Sequence, residues 1–134
     1  MIRRSLATAA TLVVAALLAG CASQESGPVV ATFEVAGGET FAVELATPEL
    51  IEHAQDLLAG KNVAAIPLGR VVRNDPSVNE PWSWHLDPAT FQFAQVTTEV
   101  CDGIPSYVED ETVTSPDYCP WSAKIIAIDG LPGD

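Results

Sequence analysis

Ser83, His85 and Asp87 stand two residues apart in the run Glu-Pro-Trp-Ser-Trp-His-Leu-Asp-Pro, Glu80 to Pro88, with Trp82, Trp84 and Leu86 between them. These are the residue types of a nucleophile, a base and an orienting carboxylate, so acyl transfer is the first chemistry to weigh. The spacing argues against it. In a strand the three polar side chains share one face, about 6.5 to 7 Å apart, whereas a base works within about 2.6 to 3.2 Å of its nucleophile. Ser83 also lacks the Gly-x-Ser-x-Gly elbow that would present a hydroxyl. Metal binding is the second chemistry. His85 and Asp87 could each offer a ligand, joined by Glu99 or Asp102 from the next element, although Asp-Pro is equally a strand end and turn cap. The bland alternative places His85 in a structural hydrogen-bond network.

The opposite face of the same stretch is apolar. Trp82, Trp84 and Leu86 fall on one side of a strand and are expected to anchor the core. Pro-Trp-Ser recurs at Pro120 to Ser122, directly after Cys119. Both copies are expected to open strands, with Trp121 packed beside a disulfide at the centre of the core.

Three cysteines occur, at 21, 101 and 119. The first closes an N-terminal segment with a different purpose. Arg3 and Arg4 precede an uncharged apolar run from Ser5 to Cys21. A basic start, a short apolar run and small residues form an export signal, too short for a stable span. Its end, Leu18-Ala19-Gly20-Cys21, resembles the lipobox of bacterial lipoproteins. That resemblance implies a diacylglyceryl thioether on Cys21, cleavage before it, and an extracytoplasmic protein held on the cell membrane by lipid. Residues 1–20 are then signal peptide, 21–28 an acylated tether and 29–134 a single domain. The seven residues Ala22 to Pro28 reach at most about 25 Å.

With residues 1–20 removed, four cations (Lys61, Arg70, Arg73, Lys124) face eighteen acids, a formal charge of −14. Nucleic-acid binding needs clustered Lys and Arg and is excluded. Cys101 and Cys119 remain as an even pair in an exported domain, which points to a disulfide. A metal site from Cys101, Cys119 and His85 is the competing assignment, without the Cys-x-x-Cys spacing of a zinc site.

These residues need elements to position them. Two alternating runs around Gly37-Gly38 predict a β-hairpin. Thr47-Pro48-Glu49 starts a helix, with Leu50, Ile51, Ala54, Leu57 and Leu58 on its inner face, His53 solvated on its outer face and Gly60 ending it. Strands are expected at Ala64–Arg73, Trp82–Leu86, Thr90–Val100 and Ser122–Ile128, and a short helix at Ser106–Glu111 that turns Tyr107 and Val108 inward. The order β-β-α-β-β-β-α-β gives a single small α+β domain, mostly an antiparallel sheet with one main helix packed on it.

Several of these runs carry a second resemblance: Thr47–Lys61, Gly69–Val72, Trp82–Pro88, Glu99–Asp102, Ser106–Asp110 and Cys119–Ile125. The chain resembles a family of small domains, often found in short exported bacterial proteins and named after a cAMP-inducible, calmodulin-binding slime-mould protein, of which it is the N-terminal domain. The likeness implies a domain rather than a particular activity. Calmodulin is not an expected partner, because its targets are basic amphipathic helices and Glu49, Glu52 and Asp56 make this helix acidic. No cofactor is expected. The leading expectation is a lipid-anchored, acidic binding domain for a protein, peptide or envelope component. The alternative is a hydrolase or metal-dependent enzyme using His85 with Asp87, Glu99 or Asp102.

Overall fold

A computed structural model describes residues 26–134. Cys21 and the segment expected to be an export signal lie outside the described residues. Alternation builds the first hairpin: β1 (Val30–Glu34) pairs antiparallel with β2 (Thr40–Glu44), and Ala31, Phe33, Phe41 and Val43 turn inward. The reversal is made by Gly37 and Gly38, both at positive φ (96° and 90°), where a side chain would be strained. The main helix α1 (Pro48–Leu58) begins as its sequence predicts, the Thr47 hydroxyl accepting from the Leu50 amide at 3.2 Å. Ala54 is fully buried, while Leu58 is exposed rather than part of the inner face.

The second layer is organised on β3 (Ile66–Arg73). Along its length it pairs antiparallel with β4 (Trp84–Leu86), β5 (Gln92–Ala94) and β6 (Asp117–Tyr118). Gly69 is placed where a Cβ would press to 3.2 Å from that of Leu86, so the absence of a side chain lets the two strands close. The short helix α2 (Pro105–Glu109) precedes β6, and β7 (Lys124–Asp129) returns to lie beside β1. The β3 strand ends in Arg73, whose guanidinium donates to the Val108 carbonyl at 2.7 Å and so satisfies the end of α2.

The α+β class, the dominant antiparallel pairing and the single main helix are as expected, and the element order holds with β6 added. The strands divide between two sheets, however: β2, β1 and β7 in one, and β3 with its three partners in the other. Their inner faces share one aromatic core. Phe33 stacks on Phe41 at 5.3 Å, and Tyr118 meets both Phe41 (5.4 Å) and Trp84 (5.5 Å) edge-on. Asn79, a fully buried amide, joins the layers by accepting from the Ala42 amide and donating to the Trp84 carbonyl, both at 2.8 Å. Helix α1 packs on β7 and reaches the second sheet through His53. Its ring stacks 4.5 Å from Phe93 and its Nε2 donates to the Ala64 carbonyl, so it is not a solvated outer residue.

Other departures have local causes. The long strand expected at Thr90–Val100 breaks into β5, an extended stretch, and a 3-10 turn at Glu99–Cys101. Tyr107 is exposed while Val108 is buried, because the five-residue helix turns only one face inward. Trp82 precedes β4 and is half-buried, its Nε1 donating to the Thr40 carbonyl at 2.8 Å across the gap to β2. Among the described residues no helix is long and apolar enough to cross a membrane.

Candidate functional site

Main chain engages His85 and Asp87, and Ser83 stands apart from both. His85 is only 12% exposed in its side chain, and its Nδ1 donates to the Asp75 carbonyl at 2.6 Å, with the Asp75 carboxylate 3.9 Å away. Asp87 shapes a turn. Its Oδ1 accepts from the Ala89 amide, and its carbonyl accepts from the Thr90 hydroxyl and the Phe91 amide. Thr90 in turn accepts from the Arg70 amide, which ties that turn onto β3. Ser83 is exposed, and its amide donates to Glu109. No hydrogen bond joins Ser83, His85 and Asp87, and among the described residues no three His, Cys, Asp or Glu side chains converge on a metal position.

Replacing His85 with alanine is therefore expected to destabilise the domain by about 1 to 3 kcal/mol, the cost of leaving a polar partner unpaired together with a loss of packing. Thermal melts of parent and variant read this. A variant as stable as its parent would remove the structural role.

Glu99 and Asp102, the other two polar candidates, bracket Cys101 in the segment that follows β5. Glu99 is exposed at the start of the 3-10 turn. Asp102 is committed: its Oδ1 accepts from the Gly103 amide at 2.9 Å and from the Trp121 amide at 2.8 Å. Cys101 and Cys119 form the disulfide, with their Cα atoms 5.0 Å apart. The closed loop of this length stabilises the fold by about 3 kcal/mol in the chain-entropy picture. Tyr118, next to Cys119, donates its hydroxyl to the Gly103 carbonyl at 2.9 Å. Burial pushes this phenol far above its ordinary pKa, and the nearby Asp102 and Glu39 carboxylates push the same way, so it remains a neutral donor.

The feature that these bonds build is Trp121. Cys119 and Pro120 are buried as expected, but Trp121 turns outward and is 45% exposed, so it is not the centre of the core. Four ties hold its turn: the disulfide, Asp102 on its amide, the Thr97 hydroxyl on its Nε1, and the Ser122 hydroxyl accepting from the Ala36 amide at 2.9 Å. An indole fixed in this way loses little freedom when something covers it.

Concavities open on both sides of it. One, of about 650 Å³, lies towards the hairpin turn and includes Gly37, Gly38, Ala65 and Lys124. The other begins as a notch of about 220 Å³ between Ile66, Val96 and Trp121. A neighbouring trench of about 310 Å³ shares Val96 and Thr97 with the notch and is bordered by Leu68, Val100 and Asp117. Val96, which shares the notch with the fixed indole, is 85% exposed, and Val100 on the trench is 72% exposed.

The family profile described as the BP-74 N-terminal domain matches residues 28–131. The chain belongs to this BP-74 family of N-terminal domains. Searches of curated proteins and of solved structures found no match. Within this family domain, the runs that carry the likeness do separate jobs. Trp82–Pro88 supplies β4 and the turn tied to β3, whereas Glu99–Asp102 and Cys119–Ser122 are brought together at one place, through the disulfide and the Asp102–Trp121 bond. The second Pro-Trp-Ser was the sequence signal for this site. Val96 and Thr97, which complete it, sit in what reads as a strand and carry no signal of their own.

Proposed function

We propose that this chain is an exported bacterial lipoprotein, acylated on Cys21 and held on the outer side of the cell membrane, whose folded domain is an acidic binding module for a protein, peptide or envelope component. The observation that supports binding is Trp121: an exposed residue whose backbone amide and indole N–H are both satisfied internally, standing between two concavities. Large, rigid aromatics in such settings are the residues that dominate recognition surfaces. The anchor rests on Leu18-Ala19-Gly20-Cys21 and the basic-apolar segment before it. Two or more acyl chains, at about 0.8 kcal/mol per buried CH₂, suffice for stable attachment. A formal charge of −14 keeps the domain soluble and repelled by anionic headgroups, leaving attachment to the lipid.

Cys21→Ser tests the anchor. The parent is expected in the membrane pellet after a carbonate wash, with a mass corresponding to a lipid-modified chain that begins at Cys21. The variant is expected to lose the modification and leave the pellet. A variant that stays in washed membranes would show that the apolar run itself is retained as the anchor.

A further inference from the structure

The trench beside Trp121 has a second property besides its apolar lining. After a bend at Gln95, Val96 to Thr98 run outside any helix or strand, Thr98 with extended backbone, and the amides of Val96, Thr97 and Thr98 donate to no protein group among the described residues. Exposed, extended backbone with free donors is a template for one more strand. The ridge therefore offers main-chain bonds along its length and an apolar notch at its Trp121 end.

Charge selects the occupant. Among the four cations downstream of Cys21, Lys61, Arg70 and Arg73 each have a carboxylate within 4.0 Å. Glu99 is exposed and lies between Val96 and Val100 in sequence, and Asp117 borders the trench with its carboxylate 4.0 Å from the exposed Arg70 guanidinium. A second copy of this chain carries the same formal charge of −14, and this like charge disfavours self-association. The same net negative charge disfavours an anionic lipid surface as the occupant.

We propose that this trench takes an extended, basic peptide segment, laid beside Val96–Thr98 as an added strand, with one apolar side chain in the notch between Ile66, Val96 and Trp121. It rests on the binding-module reading above and gives that module its place and its ligand chemistry. Lysine or arginine side chains flanking the apolar residue face Glu99 and Asp117, so raised salt weakens the complex.

The test is calorimetric titration of the full-length acylated protein in a nonionic detergent. The ligands are a capped nonapeptide of alternating valine and lysine, its valine–glutamate counterpart, and a linear N-acetylglucosamine tetramer. Saturable binding is expected for the valine–lysine peptide alone. Trp121→Ala is expected to weaken it by about ten-fold or more, and Glu99→Lys, an exposed substitution that leaves the fold intact, by several-fold. Equal binding of the two peptides, unchanged affinity in the folded Trp121→Ala protein, or unchanged affinity in Glu99→Lys would each overturn the proposal. Binding of the sugar alone would overturn the peptide while keeping a binding module, and binding of none would overturn the assignment. The mass of the modified Cys21 peptide, read separately, shows whether the lipoprotein reading stands in any of these cases.

Discussion

Trp84→Ala is expected to lower unfolding stability by about 3 to 5 kcal/mol, the range for deleting a large buried aromatic. Trp84 is 1% exposed and lies against Phe41 and Tyr118, so the vacated space borders rings that cannot collapse without breaking their own contacts. A domain of this size holds only about 5 to 15 kcal/mol in total, so the variant sits near the limit of folding. One detail refines the expectation. Among the described residues the Trp84 Nε1 has no hydrogen-bond partner, which makes the indole nitrogen a burden on the native state. Trp84→Phe keeps most of the ring volume, removes that donor and is expected to cost clearly less than alanine. Urea denaturation of both variants decides this. Equal losses would mean that the nitrogen carries weight the packing does not reveal.

Asn79→Ala is expected to be nearly as damaging, at about 2 to 4 kcal/mol, although the side chain is small. It would strand two main-chain groups, the Ala42 amide and the Trp84 carbonyl, and each unpaired buried group costs about 1 to 3 kcal/mol. Because one partner is in each sheet, the loss should also loosen their contact. Faster amide exchange at Ala42 in the variant, beyond that of the hairpin as a whole, would identify the bond as the cause. A melt indistinguishable from the parent would show that water replaces the amide there.

The elements that the sequence made legible are those whose signals are local. Gly37-Gly38 demands a reversal, Thr47-Pro48 and Gly60 bracket a helix, and Trp84 and Leu86 alternate with His85. The two remaining downstream cysteines had one pairing to make. What escaped depends on distant partners. Nothing near Thr90–Val100 announces that Asp87 and Thr90 will hold a turn on Arg70, or that the strand will stop at Ala94. His53 reads as solvated until Phe93 and Ala64 are placed beside it. Trp121 is the clearest case. Its neighbours Cys119 and Pro120 are buried, and only the Asp102 and Thr97 bonds, both from more than fifteen residues away, turn the indole outward. The four polar residues singled out on chemical grounds were legible as types but not as roles. His85 and Asp87 are occupied with main chain, and Asp102 serves the tryptophan rather than a reaction.

The outer strands of the first sheet bear on how such a domain tolerates being packed densely among its own kind. Ile125-Ile126-Ala127-Ile128 is the stretch most prone to template polymerisation, being short, β-branched and uncharged. Helix α1 packs against it, although Ile126 is about half exposed, and the register with β1 slips between Thr32 and Phe33, which breaks the regularity of β7. On the other flank, Asn79 occupies the Ala42 amide and Trp82 the Thr40 carbonyl. Side chains thus plug one border and a helix with a bulge blunts the other, which works against edge-to-edge pairing of neighbouring copies through this sheet.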